Sequence, residues 1–399
     1  MRLLSNQIED YLEKSSWIRR MFEAGTELKK QHGEENVFDF SLGNPDVPPP
    51  VEVGTALRSI AETADRPYAF GYMPNSGYPS LREKMAESLA REQEMPISAE
   101  DVLMTCGAAG GLNSLFRAVL EPGEEVICPA PFFVEYGFYA SNHGGVLRPV
   151  PALPPDFRLD LDRMDEAVTE KTRIVLINSP NNPSGQVYSQ QELQGLAEIL
   201  KRHSKGRDRP ILLVSDEPYR FLTFDGAQVP SILPLYEQSL VVSSYSKNLS
   251  LAGERVGYLV LNPGMEGKQT LMDGLVLTNR ILGFVNAPAI GQQVLEHCLG
   301  SQVDLGVYER RRRLLRQVLE AAGYEFEPPK GGFYFFPKAP GGDDVAFVNR
   351  LQQERVLAVP GSGFGYGGYF RMSFCVPDRV IENSADSLAR AAASVSEPG

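Results

Sequence analysis

Between residues 102 and 261 the chain alternates short, almost wholly apolar runs with longer stretches of helical pattern. The runs cover 102–105, 125–128, 146–150, 173–177, 211–215, 240–244 and 256–261, and stretches such as 190–201 between them carry a helical pattern. A strand that is apolar along its whole length buries both of its faces, as strands of a parallel sheet do when helices cover each side. The alternation therefore predicts an α/β fold: a large domain with a mainly parallel seven-stranded sheet covered by helices. In such sheets ligands bind outside the carboxyl ends of the strands.

The flanks read differently. Trp17, Ile18, Met21, Phe22, Gly25 and Leu28 recur at the steps of one helix face, and Gly33 is placed to end that helix. Gly43-Asn44-Pro45 and the prolines 48–50 make a rigid connection. Beyond residue 285 the pattern mixes helices at 308–322 and 344–354 with short strands at 332–336 and 370–374. The expected organisation is an N-terminal segment 1–44 packing with the small domain, a large domain over 45–285, and a smaller α+β domain over 286–399.

Charge and composition remove several function classes. Lysine plus arginine is 39 against 51 aspartate plus glutamate, a net charge of −12. An acidic chain is a poor general binder of nucleic acid, and the run Arg310 to Arg313 reads as a solvated helix face. Cys106, Cys128, Cys298 and Cys375 show no metal or redox spacing, so reduced, buried thiols are expected. The four histidines show no zinc-helix pair, and no metal site is expected. The N-terminal stretch lacks a secretory apolar core and no apolar run is long enough to span a membrane, so the expected location is the cytoplasm.

The residues that carry chemistry sit at strand ends. Lys247 closes Ser244-Tyr245-Ser246-Lys247 just after the run at 240–244, and Arg255 follows eight residues on. An isolated Ser-x-Ser-Lys is usually a surface lysine beside a turn. Here Asp216 ends another strand, followed by Glu217-Pro218-Tyr219. A strand-end lysine can form a Schiff base with a carbonyl cofactor, and an anionic aspartate can hold a pyridine nitrogen protonated. Ser244, Ser246 and Arg255 suit a phosphate group. Gly107, Ala108 and Ala109 precede a helical stretch, where backbone N–H groups and the helix dipole favour an anion. Asn182 lies in a turn-rich loop after the run 173–177, and Phe133 follows the run 125–128, where it either stacks on a flat ligand or packs in the core.

With these motifs in order, the chain resembles the class I/II aminotransferases, fold-type-I enzymes that use pyridoxal 5′-phosphate. The resemblance spans about residues 40–374 and rests on Gly43-Asn44-Pro45, Tyr72 through Arg82, Gly107-Ala108-Ala109, Asn181-Asn182-Pro183-Ser184-Gly185, Asp216-Glu217-Pro218-Tyr219, Ser244 to Lys247 with Arg255, 360–365, and Arg371. It implies a Schiff base on Lys247, which also moves the substrate's α-proton. It implies that Asp216 pairs with the pyridinium nitrogen, that Asn182 and Tyr219 bond the ring oxygen, and that Phe133 stacks on the ring, where many relatives have tyrosine or tryptophan. Gly107, Ala108, Ser244, Ser246 and Arg255 would hold the phosphate. Tyr72 would reach the phosphate of a neighbouring subunit, which implies a homodimer with shared active sites. Arg371 would bind the substrate α-carboxylate, helped by Gly43 and Asn182. The implied activity is a ping-pong exchange of an amino group between an L-amino acid and a 2-oxo acid.

Substrate choice stays open at this point. Some aspartate-using relatives carry a lysine in the glycine-rich turn, where this chain has Ala109. Arg280 stands six residues before Asn286-Ala287-Pro288 and is either a ligand for a distal carboxylate or a structural surface residue. Tyr366 and Tyr369 are pocket candidates or simply loop residues. The same scaffold hosts other reactions, such as a carbon–sulfur β-lyase, and non-catalytic sensors, which usually carry a basic DNA-binding module that is not evident here.

Overall fold

The computed structural model describes residues 3–14 and 16–396. The seven expected runs form one sheet: β1 Val102–Cys106, β2 Glu125–Ala130, β3 Val146–Pro151, β4 Thr172–Asn178, β5 Leu212–Asp216, β6 Ser239–Ser244 and β7 Val256–Leu261. Their order across the sheet is β1-β7-β6-β5-β4-β2-β3. The five central strands have every residue buried, apart from Arg173 in β4, whereas the edge strand β3 is mostly exposed. That edge carries Pro149, Pro151 and Arg148, residues that discourage pairing with another chain.

The sheet is parallel except at β7, which runs antiparallel to both β6 and β1. Only residues 245–255 join β6 to β7, and they hold one turn of 3₁₀ helix, Ala252–Glu254. A parallel return needs a crossover of about a dozen residues or more, so this short link forces the reversal. The reversal has a consequence for the site. The amino end of β7, beginning beside Arg255, lies at the same sheet edge as the carboxyl ends of β1, β5 and β6. Register pairs make this explicit: Cys106 faces Val256, Ser244 faces Gly257, and Asp216 faces Asn178 on one side and Val242 on the other.

Two apolar clusters cover the sheet's faces, one centred on Val175, Leu213 and Val241, the other on Leu176, Val214 and Val242. A third core joins Val37, Phe38 and Phe40 to residues between Val303 and Ala391, around a three-stranded antiparallel sheet of Tyr334–Phe335, Val359–Pro360 and Phe370–Ser373. Phe38–Asp39 pairs with Val356–Leu357, which stitches the N-terminal segment to this unit. The expected boundary at 285 does not coincide with the cores. Ala287, Val294, Leu295 and Cys298 all pack into the large sheet's core, because the helix Ala289–Cys298 lies against the helix Val51–Ala61.

The N-terminal helix expected to end at Gly33 spans Ser16–His32, and Gly33 follows with φ 84°. Gly25 and Leu28 pack toward the smaller core; the side chains of Trp17, Ile18, Met21 and Phe22 lie outside the described residues. Ahead of it, the helix Asn6–Lys14 rests instead on the large unit, with Tyr11 edge-on to Phe138 at 4.7 Å.

The basic run Arg310–Arg313 differs from its expected solvated state. Arg311 and Arg312 are buried on the helix Leu305–Ala321. Arg311 makes a two-pronged bond to Asp46 at 2.7 and 2.8 Å, and Arg312 binds Asp225 while lying over the Phe224 ring. Net charge says nothing about such local pairing, which decides burial here. Tyr366 and Tyr369 pack with Phe157 and Phe336 and line no part of the cavity described below. All four cysteines are free, and three are buried, with Cys106 partly exposed. Among the described residues no helix is long and apolar enough to cross a membrane, and no group of three or more His, Cys, Asp or Glu is placed to hold a metal ion.

Candidate active site

A cavity of about 300 Å³ opens at the sheet edge where the strand ends meet. Its walls include Gly43, Ala108, Phe133, Asn182, Asp216, Tyr219, Ser244, Ser246, Lys247, Arg255 and Arg371. Residues up to 329 positions apart in the chain, Leu42 and Arg371 (371 − 42), thus share one pocket.

Lys247 follows β6, and its Nζ donates to the Gly43 carbonyl at 2.8 Å. Burial, the largest influence, lowers its pKa to about 8, with Arg371 and Arg255 pushing the same way and Cys375 opposing. An amine of this kind is partly neutral near pH 7, the state a nucleophile needs.

Asp216 ends β5 and is buried. Tyr136, itself fully buried, donates to its Oδ2 at 2.6 Å, while Oδ1 is shut off from solvent with no partner. Burial raises the carboxyl's pKa to about 7; the Tyr136 bond works against this, and the neighbouring Glu217 adds to it. Asn178 fixes the surroundings: its Nδ2 donates to the Asp216 carbonyl at 2.8 Å, and its Oδ1 accepts from the Asn182 amide at 2.7 Å. The loop that carries Asn182 is thereby tied to the strand that carries Asp216.

Opposite, backbone and basic groups converge. The helix Gly107–Val119 begins directly after β1, with its amino end at the cavity. Gly107 has φ 68°, and a Cβ there would stand 2.7 Å from Arg255 Nη2. Glycine therefore serves both the backbone angle and the close approach. Arg255 itself has φ 52°, a left-handed turn that leads into β7.

Arg371 is buried, sandwiched between the rings of Tyr334 and Phe364 at 4.6 and 4.7 Å. Its Nη1 donates to Asn182 Oδ1 at 3.1 Å and its Nη2 to the Ser41 carbonyl at 2.6 Å, while Nε is buried without a partner. Tyr219 and Tyr334 share a hydroxyl–hydroxyl bond at 3.1 Å. A side chain at Gly43 would collide with the Tyr334 hydroxyl, so the segment at 41–43 lies flat against the pocket only because this residue is glycine.

Two expected residues stand apart from this cavity. Tyr72 is 94% exposed and lies in a surface groove formed by 70–73 and 284–289. Arg280 is exposed at the end of the helix Lys268–Ile281. Sequence reading missed Tyr136, Tyr334 and Asn178. Asn178 had a signal, since it directly ends an expected strand. Tyr136 and Tyr334 had none, because only packing turns them toward Asp216 and Gly43.

The cavity offers what pyridoxal phosphate requires. The unpaired Asp216 Oδ1 awaits a cationic partner, the glycine cradle with Arg255 and two serines awaits an anion, and Lys247 is an amine of lowered basicity between them.

Comparison with known proteins agrees with this chemistry. The family model for aminotransferase class I and II matches residues 35–388. The aspartate/prephenate aminotransferase of Thermus thermophilus is 31% identical over 377 residues, covering 91% of this chain and 92% of its own. A crystal structure of an amino transferase from Eubacterium rectale superposes with TM-score 0.93 at 36% identity, covering 99% of this chain and 100% of the other. A Thermus thermophilus aspartate aminotransferase variant superposes with TM-score 0.87 at 29% identity, covering 98% of this chain and 100% of the other.

Proposed function

The chain belongs to the class I and II aminotransferases, and from that premise we propose which of its residues carry out the exchange. The protein is a pyridoxal-phosphate-dependent transaminase that moves an amino group between an amino acid and a 2-oxo acid. The observation that carries the assignment of roles is the pairing in one cavity of a lysine of lowered pKa with a buried aspartate that has an unpaired oxygen. When bound, the cofactor supplies a carbonyl carbon that captures amines and a ring that accepts the electron pair left at the substrate's Cα.

In this reading Asp216 holds the ring nitrogen's proton, with Tyr136 fixing its carboxylate. Ser244, Ser246, Arg255 and the amides of Gly107 and Ala108 hold the phosphate. Phe133 covers the ring face, and Asn182 and Tyr219 bond the ring oxygen. Arg371 orients the incoming α-carboxylate through its free Nε edge, with Asn182 and the backbone at Gly43 beside it. Lys247 anchors the cofactor, then takes the α-proton from the substrate once the amino acid has displaced it. Its bond to the Gly43 carbonyl has to open for either task.

The direct test follows the cofactor's absorbance band as single L-amino acids are added without an oxo acid. Conversion of the band, with the matching 2-oxo acid formed in equal amount, is expected for at least one donor class. Ammonia and pyruvate released with no net conversion would overturn transamination in favour of β-elimination.

We also propose a two-fold dimer that completes each site with the neighbour's Tyr72. Tyr68 and Tyr72 are over 90% exposed, and Phe70, Leu277 and Ile281 are exposed too. So much exposed apolar surface marks an interface. Asn286 Nδ2 braces the segment by donating to the Pro74 carbonyl at 2.9 Å. Arg280, on the same exposed helix end as Ile281, would enter the neighbour's site with Tyr72. Sedimentation should give twice the 44.0 kDa chain mass. Tyr72→Phe should weaken cofactor binding about ten- to a hundred-fold, the worth of one hydrogen bond to a charged group. A monomer of full activity would sink this reading. The domain division we favour joins residues 16–44 to a small unit that begins after Leu299, leaving 45–299 as the cofactor-binding unit on which the helix Asn6–Lys14 rests, since the cores divide there. The four free cysteines fit a reducing compartment, the cytoplasm.

A further inference from the structure

The proposed reaction leaves Tyr334 without a task, although this residue is buried and lines the cavity. Its strand, Tyr334–Phe335, pairs with Phe370–Ser373, the strand that carries Arg371, so both side chains come from one small sheet. The Tyr334 ring lies under the Arg371 guanidinium, 4.6 Å away. Its hydroxyl meets the Tyr219 hydroxyl at 3.1 Å, with the two rings nearly perpendicular at 85°. On its other side the hydroxyl abuts Gly43, where a Cβ would collide with it. The hydroxyl is therefore held from the strand, from Tyr219 and from the segment at 43.

Among the described residues, neither hydroxyl of this pair has a second hydrogen-bond partner. Burial pushes both phenols up, Tyr334 to about 12, so both keep their protons near neutrality. Two hydroxyls carry two protons, and the bond between them uses one. The second proton belongs to whichever tyrosine accepts in the pair, and it is free to serve an acceptor in the cavity. A ring oxygen bonded by Tyr219 takes the Tyr219 proton. The pair can then run in one direction only, with Tyr334 donating to Tyr219.

We propose that Tyr334 is a positioning residue that acts through Tyr219: its hydroxyl donates to the Tyr219 oxygen, turns the Tyr219 proton toward the cofactor's ring oxygen and strengthens that bond. The inference rests on the role proposed for Tyr219 and deepens it. Hydrogen bonds in series polarise one another, most of all where water is excluded. A firmer bond to the ring oxygen favours the form in which that oxygen is negative and the lysine-bound nitrogen has lost its proton. The cofactor's absorbance change with pH then falls at lower pH. The ring of Tyr334 has a separate task, a cation–π contact that steadies Arg371.

The test titrates the absorbance of the substrate-free holoenzyme against pH. Only molecules that hold the cofactor contribute to the midpoint, so partial misfolding lowers the amplitude and leaves the midpoint in place. Tyr219→Phe should raise the midpoint by about one to two pH units, the worth of a hydrogen bond to a charged group. Tyr334→Phe should raise it by about half a pH unit. The double variant should match Tyr219→Phe alone, because Tyr334 then has nothing to act through. Tyr334→Phe keeps the ring, so KM for the amino donor should change by less than about threefold, whereas Tyr334→Leu should raise it about tenfold. An unmoved midpoint in Tyr334→Phe beside a shifted one in Tyr219→Phe overturns the inference and leaves the role of Tyr219 standing. Additive shifts in the double variant overturn it too, since Tyr334 would then act by another route. If Tyr219→Phe itself leaves the midpoint in place, the role of Tyr219 fails and the inference falls with it.

Discussion

Replacing Lys247 by alanine should lower turnover of every donor by a factor on the order of 10⁵ or more, as removal of a nucleophile with no substitute does elsewhere. The reason lies in what else the cavity contains. Its other cations, Arg255 and Arg371, are guanidinium groups that stay protonated and can neither bond a carbonyl carbon nor accept the α-proton. Tyr219 and Tyr334 are pushed to higher pKa by burial, so neither phenol is a base near neutrality. Among the described residues, Lys247 alone combines position with a pKa lowered to about 8. Two measurements check this. Single-turnover spectra should show no band conversion in Lys247→Ala with any donor. Borohydride should attach the cofactor's mass at Lys247 in the wild type and leave the variant unmodified. A variant that kept more than about a hundredth of wild-type turnover would exclude Lys247 from the chemistry.

Asp216→Asn should cost a factor of about 10² to 10⁴ in kcat. Breaking one side of a buried ion pair costs roughly 3–5 kcal/mol, and each 1.36 kcal/mol is tenfold. An asparagine keeps the shape and the Tyr136 contact, but it cannot hold a ring nitrogen in its protonated state. The same residue gives a pH signature in the cofactor-free chain. Its folded pKa, raised to about 7 by burial, stands above the ordinary carboxylate value of 3.8. From about pH 4 upward the unfolded chain loses this proton while the folded chain keeps it. The unpaired carboxyl therefore takes stability away progressively as pH rises to about 7, and the loss levels off above that. Melting temperatures of the cofactor-free wild type should fall across this window more steeply than those of Asp216→Asn. Adding the cofactor should remove the difference, because a cationic ring nitrogen stabilises the ionised carboxylate. Equal slopes for wild type and variant would mean that Asp216 is not the buried, unpaired acid seen here.

Parts of this molecule are legible in the order of its residues. The seven strands stand within a residue or two of their expected runs; for all but the exposed edge strand β3 the reason is that strands buried on both faces must be largely apolar. Lys247, Asp216 and Asn182 were legible for a related reason: polar residues that follow such runs within a few positions fall near the sheet edge by construction. Gly107 was legible because a glycine between a strand and a helix marks a close backbone approach.

Other features depend on which surfaces meet. The sequence by itself determined the sheet, its covering helices and the strand-end residues, since local periodicity and burial dictate them. Only the tertiary structure decided that β7 runs backwards and so brings Arg255 beside Gly107, that Tyr136 reaches Asp216 across 80 residues, and that Arg311 and Arg312 are buried in pairs rather than solvated. It also placed Tyr334 against Gly43, extended the large core past residue 285, and left Tyr72 and Arg280 outside their own chain's cavity. These outcomes turn on contacts between residues far apart in the chain, where the partner of each side chain is chosen by packing and charge in three dimensions rather than by its neighbours in sequence.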